Sequence, residues 1–250
     1  MPNAHLLSTA SPEAAALLGW ARGTAAPGTA GPVAFAVVAR RADVGRARDL
    51  LGPESITFCG EAGDEGDALQ LEGDPGRVGE ELVAGPDLFV QVEAYAGAAF
   101  LPIVGPTLLR LAGADDVAAL RDDLDATARG SVPPVLGDPQ LQLADRCALG
   151  GRPCGGPRHR LHIDADGAVR TTPCGPVLGG PDATIDALDD AWRALGCERA
   201  CAPAGVADAV ADARGTRPWW PRVLAVLDLL HAARQDDPGD WTAAGFGDVG

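Results

Sequence analysis

The chain has 250 residues, 46% hydrophobic and 4% aromatic, with a formal net charge of −15. That length and apolar content describe one large or two modest folded domains and exclude a disordered chain. All 20 basic residues are arginine and no basic stripe occurs, so a chain this acidic would repel phosphates and no nucleic acid partner is expected.

No run approaches the ~20 apolar residues of a membrane span, so no membrane partner is expected either. Met1-Pro2-Asn3-Ala4-His5 lacks the basic region and apolar run of a secretory signal, and the expected location is cytoplasmic. With 33 glycines, 21 prolines and few aromatics, the core must be built from Ala, Leu and Val between frequent loops.

In chain order, Ser11 and Pro12 open a short helix to Trp20, and the Gly/Ala/Pro/Thr-rich stretch from Gly23 to Pro32 reads as a linker. Residues 1–32 are therefore expected to be a flexible N-terminal segment. Val33 to Ala39 is a continuous apolar run, as in a buried strand. Asp43 to Leu51 reads as a helix stopped by Gly52-Pro53, and Ser55 to Phe58 as a second strand. The acidic segment Glu61 to Asp67 reads as a solvated loop. Leu88, Val90 and Val92 alternate with Phe89, Gln91 and Glu93, the period of a strand, and residues 88–112 read as strands and turns. Asp115 to Arg129 is the clearest helix, with Val117, Leu120 and Leu124 on one face and acids at its positive end.

Beyond Pro133-Pro134 the texture changes to Gly, Pro, Cys and Arg. Leu141 to Leu149 reads as a short helix. Leu161 to Arg170 reads as a hairpin with an Asp166-Gly167 turn. Thr184 to Leu195 and Pro221 to Arg234 read as helices, and residues 236–250 as a frayed, disordered tail. The fold class is α+β. A mixed α/β domain over 33–135 is followed by a cysteine-rich, hairpin-plus-helices domain over 136–235.

Five cysteines fall in that second part: Cys147, Cys154, Cys174, Cys197 and Cys201. In a reducing compartment, clustered cysteines point to metal or redox chemistry before staples. Thiolates brought together by tight turns are how structural zinc and iron–sulfur sites are made, and Cys154 and Cys174 both sit in Pro-Cys-Gly turns. All five are candidate metal ligands, for zinc or an iron–sulfur cluster, with His159 and His162 as alternative ligands. Buried unligated thiols and disulfides are the other outcomes. Neither cysteine pair has the tight C-x2-C spacing. Cys59, beside Phe58, reads as a small buried hydrophobe.

Asp164-Ala165-Asp166-Gly167 begins like a calcium loop but lacks the terminal acid, so a hairpin turn is expected there. Trp219-Trp220 is either a partner-binding patch or a core plug at a helix start, the plug being favoured. His231 is expected on the surface or in the core, without a catalytic role. The chain contains no C-x3-C-x2-C triplet, dinucleotide or phosphate loop, zinc-protease motif or nucleophile elbow, and no catalytic residue is assigned.

The segment Leu161-His162-Ile163-Asp164-Ala165-Asp166-Gly167-Ala168-Val169-Arg170-Thr171-Thr172-Pro173-Cys174 is similar to the hairpin of SPASM-type domains, which follow radical enzymes that modify ribosomally made peptides. Ile185 to Leu195 and the Cys197/Cys201 pair extend the likeness. Six residues separate Gly167 from Cys174, where that family has four. The layout also resembles the recognition protein of daptide-type peptide biosynthesis, on Gln140 to Gly150 (QLQLADRCALG) and the Leu161–Arg170 hairpin.

That resemblance implies a non-catalytic accessory protein. It would bind a precursor (leader) peptide and present it to peptide-modifying enzymes. Separately, peptide capture by strand addition at an exposed sheet edge would suit the strands at 88–112. The alternative is an iron–sulfur redox protein or auxiliary-cluster enzyme acting on a peptide.

Overall fold

A computed structural model of the chain describes residues 12–23, 33–63, 68–84, 88–101, 105–138, 140–150 and 154–236. Most of the expected Gly23–Pro32 linker, the centre of the acidic 61–67 loop and the tail beyond Asp236 lie outside these residues. The expected α+β class holds: helices surround two sheets, and the cysteine-rich region follows.

Helix α1 (Pro12–Arg22) precedes β1 (Phe35–Val38), α2 (Val44–Leu51) and β2 (Ile56–Cys59). The apolar run of β1 is buried on both faces, as a central parallel strand must be. β1 and β2 are parallel, joined by the α2 crossover. β3 (Leu69–Gln70) extends this sheet beyond β2. Then come β4 (Glu80–Ala84), β5 (Leu88–Ala94), the short α3 (Tyr95–Ala98), β6 (Thr107–Arg110), α4 (Ala114–Ala128), α5 (Pro134–Gly137) and β7 (Leu141–Leu143). These strands form a second sheet of order β4-β5-β6-β7, with β4 antiparallel to β5 and the other pairs parallel.

β8 (Arg160–Ile163) returns to the first sheet and pairs parallel with β1, and β9 (Val169–Arg170) closes the expected hairpin antiparallel to it. The first sheet thus has the order β3-β2-β1-β8-β9. Helices α6 (Ile185–Leu195), α7 (Cys197–Ala200), α8 (Ala204–Gly215) and α9 (Trp220–Asp236) follow. Strands β7 and β8, from the expected second domain, are hydrogen-bonded into the two sheets begun by the first.

The two sheets share one apolar cluster between their inner faces, where Phe35, Val37 and Phe58 of one meet Leu82, Val90 and Leu108 of the other. α1, read as part of a flexible segment, buries Leu17, Trp20 and Ala21 in this same layer. On the outer face of the first sheet, Ala36, Val38, Leu161 and Ile163 pack against Val44 and Ala47 of α2 and Leu188 of α6. The outer face of the second sheet carries Leu109, covered by Val117, Leu120 and Leu124 of α4 and by residues of α8 and α9. Trp220 is fully buried in that third cluster and Trp219 packs on it, so the pair plugs the core.

Two expectations need correction. Residues 141–149 are not one helix. Leu141-Gln142-Leu143 alternates with the period of a strand and pairs with β6. Asp145 then takes a left-handed backbone, φ 51°, before a 3-10 turn over Arg146–Leu149. The strands within 88–112 also offer no edge for an added peptide, because β5 and β6 are each paired on both sides. The outer strands of that sheet are β4 and β7.

Candidate metal centre

Cys197 and Cys201 are one helical turn apart, so the short helix α7 brings their sulfurs to one face. Gly196, at φ 78°, ends α6 and turns the chain into α7. The Cys201 N–H closes that turn on the Cys197 carbonyl at 3.1 Å. Cys147 comes from the 3-10 turn after β7, and Cys154 from the loop leading into a second 3-10 turn, Gly156–Arg158.

The sulfurs of Cys147, Cys154, Cys197 and Cys201 all lie within 4.8 Å of one another. Cys154 Sγ is 3.3 Å from Cys197 Sγ and 3.7 Å from Cys201 Sγ. Cys147, Cys154 and Cys201 are buried and Cys197 is partly exposed. All six cysteines are free thiols.

Such a quartet strains its own protonation. Hydrogen bonding from Cys147, then from Cys154 and Cys197, pulls Cys201 well below the usual thiol range. Cys154 is also lowered, first by Cys147. Cys147 is pushed up, chiefly by its hydrogen bond with Cys154. Cys197 is drawn down by Cys147 but raised further by Cys154, Cys201 and burial. Mutual hydrogen bonding among four converging sulfurs is an arrangement in which a cation can take the place of the shared protons. Four converging cysteine sulfurs are compatible with a metal ion or a cluster.

A buried charge network adjoins the quartet. Arg160, at the start of β8, and Arg110, at the end of β6, point into the layer between the sheets. They bracket Asp145: Arg160 Nη1 donates to Oδ1 at 3.1 Å and Arg110 Nη1 to Oδ2 at 2.8 Å. Arg160 Nη1 also donates to the Trp20 carbonyl at the end of α1, and its Nη2 donates to Cys147 Sγ at 3.2 Å. Burial alone would weaken the Arg160 charge, but the neighbouring Cys147, Cys201 and Asp145 hold the guanidinium protonated. Gly23, with φ 68°, lies against the same place. A Cβ there would sit 2.6 Å from Cys147 Sγ and from the Arg160 guanidinium, so only glycine fits. Thr171, at the end of β9, donates to the Ala200 carbonyl at 2.7 Å, and its oxygen lies 3.4 Å from Cys201 Sγ.

Of the five cysteines expected as ligands, four converge and Cys174 does not. Its thiol donates to the Gly76 carbonyl at 3.3 Å and lies 3.9 Å from Arg110 Nη1. The turn after β9 carries it toward the 74–77 loop, while Thr171, three residues earlier, is the residue that meets the quartet. Neither alternative histidine belongs to the quartet. His162 Nδ1 lies 3.2 Å from Asp164 Oδ1, and the His159 ring packs over Gly155. Asp164 also receives Arg170 Nε at 2.7 Å, so the Asp164–Gly167 segment serves the hairpin. Cys59 is fully buried and its thiol reaches the Glu61 carbonyl at 3.5 Å. His231 Nε2 is 2.8 Å from the Leu136 carbonyl, a contact between α9 and α5.

The sequence reading gave no role to Arg160, Arg110, Asp145 or Thr171. The available signal was an arginine opening the short strand-like Arg160–Ile163 segment, since a charge in a buried strand needs a partner. Among the described residues, no helix is long and apolar enough to cross a membrane. The chain matches no protein-family model, no curated protein and no solved structure.

Proposed function

We propose that this chain is a non-catalytic recognition and scaffold protein of daptide-type ribosomal peptide biosynthesis, built around a structural zinc ion held by Cys147, Cys154, Cys197 and Cys201. The observation that carries the metal part of this reading is the closeness of the four sulfurs. A single tetrahedral zinc with bonds of about 2.3 Å sets its sulfurs about 3.8 Å apart. The 3.3 and 3.7 Å separations and the 4.8 Å ceiling suit that one-metal arrangement. An iron–sulfur cubane spreads its thiolates wider, because each holds a different iron. Four protein thiolates would also leave no coordination position for a substrate or water, which favours structure over catalysis.

The zinc would supply a cross-link between the turn after β7, the approach to β8 and the start of the C-terminal helices. Arg160 would offset part of the charge left on the four thiolates. The peptide-binding part of the reading rests on the resemblance in Gln140–Gly150 and Leu161–Arg170. β7 and the Cys147 turn fall in the first of these segments, β8 and β9 in the second. A captured peptide strand would pair along β7, since Glu72 already exchanges backbone hydrogen bonds with Val83 of β4.

The test is binding of synthetic precursor peptides encoded beside the gene to the purified, metal-assayed protein. Saturable binding of one such peptide without chemical change to it is the expected result. Failure to bind any of them, with or without the neighbouring modifying enzymes, would overturn the recognition role.

A further inference from the structure

The four sulfurs are not equivalent. Cys147 is covered by Gly23 and receives a hydrogen bond from the buried Arg160, which withdraws electron density from its sulfur. Cys201 is completely buried and lies under Thr171. Cys154 Sγ instead faces the sulfurs of Cys197 and Cys201. Cys197 is partly exposed, and its thiol reaches the Cys147 carbonyl only at 3.8 Å. The Cys154 and Cys197 sulfurs lie 3.3 Å apart, against 3.7 Å for Cys154 and Cys201, so a modest approach would bring them to the roughly 2.05 Å of a disulfide.

From this asymmetry we infer that Cys154 and Cys197 form a peroxide-sensitive dithiol that releases the bound metal when it is oxidised. The inference rests on the metal-knot reading above. In the first step the Cys197 thiolate attacks a hydroperoxide oxygen. The O–O bond breaks, an S–O bond forms, and a sulfenic acid and hydroxide (or alkoxide) result. In the second step the Cys154 thiolate attacks that sulfur. The S–S bond forms and hydroxide leaves. Two thiolates lose two electrons in all, and one peroxide gains them. The metal then keeps only Cys147 and Cys201 and dissociates. An external dithiol reverses the change.

The experiment uses the full chain, assayed for one zinc per chain and exposed to equimolar hydrogen peroxide. Released zinc is read with a chromogenic chelator, and cysteines are mapped by alkylation and peptide mass spectrometry. Release should track a Cys154–Cys197 disulfide one for one, with Cys147 and Cys201 recovered as alkylated thiols and zinc uptake restored by dithiothreitol. A metal-loaded protein that releases zinc through a disulfide containing Cys147 or Cys201, or that keeps its zinc while free thiols are oxidised, would overturn the switch alone. A starting protein without bound metal would contradict the metal knot, and the switch with it. A Thr171→Val variant, if it folds, is expected to leave the pair choice unchanged, since Thr171 donates its proton to a carbonyl. A shift to Cys201-containing disulfides in that variant would show that the hydroxyl, and not burial, protects Cys201, and would count against the stated basis of the selection.

Discussion

The layer between the two sheets and the region from Cys147 to Cys201 solve the same problem by different means. Between the sheets, Phe35, Val37, Phe58, Leu82, Val90 and Leu108 bury apolar surface against one another. Each such side chain contributes about 1.5–3 kcal/mol when fully buried, and regular strands satisfy the backbone. In the cysteine region the chain runs through 3-10 turns, a two-residue strand and a four-residue helix. Its interior includes thiols, Arg160, Asp145 and Thr171. These short elements contribute Cys147, Ala148, Leu149, Cys154, Cys201 and Ala202 to an apolar cluster otherwise built largely by α4, α8 and α9, and a metal or disulfide cross-link is the common supplement where elements are this short. The first region stands on hydrophobic burial, whereas the second, on the reading proposed above, adds a cross-link to it.

That contrast can be broken most forcefully at the quartet. Cys201→Ser should abolish metal binding and loosen the region from Cys147 to α8, because metal-binding free energy in such sites is folding free energy, on the order of 10 kcal/mol in isolated structural zinc sites. Hydrogen exchange should show the loss there while β1, β2 and β5 stay protected. Uniform loss of protection across both sheets would mean that the two regions do not differ in what holds them.

Arg160→Met leaves Asp145 with one of its two arginines and removes the donor to Cys147 Sγ. Breaking a buried ion pair from one side costs about 3–5 kcal/mol. Denaturant unfolding should register that loss, with weaker zinc retention in a chelator competition. A variant as stable as the parent would show that the network is dispensable.

Leu124→Ala creates a cavity under α4, on the outer face of the second sheet. It should cost about 3 kcal/mol and leave metal stoichiometry unchanged. Metal loss in this variant would merge the two regions into one.

The smallest effect is expected from acid. The adjoining His162 ring, with Arg170 assisting, holds the Asp164 carboxyl down at about 2. A carboxyl lowered on folding stabilises fully above its unfolded value and ceases to do so as the pH falls through its folded one. The hairpin should therefore lose about 1 kcal/mol, allowing for solvent screening, between about pH 4 and pH 2. Asp164→Asn should remove that pH dependence; if the dependence persists, other carboxyls supply it.

Much of this architecture is legible in the chain itself. The alternation at Leu88, Val90 and Val92, the stripe on α4 and the Asp166-Gly167 turn are local patterns, and each became the element its periodicity indicates. The Cys197/Cys201 spacing likewise works within one turn. The features that were not legible are long-range. Nothing local announces that β8 lies beside β1, more than 120 residues away, or that β7 is a strand and not a helix. Because β8 is an interior strand of its sheet, its alternate residues face two different layers, which sends Leu161 and Ile163 to an apolar cluster and Arg160 toward Asp145 and Cys147. Cys174 shares the turn chemistry of Cys154, and only the path of the chain after β9 separates it from the quartet.

Metal analysis of the purified chain beside its Cys174→Ala variant tests the central claim most directly. One zinc per chain in both proteins, without acid-labile sulfide, is the predicted result. Iron with sulfide, or metal that disappears with Cys174, would contradict a single ion held by Cys147, Cys154, Cys197 and Cys201.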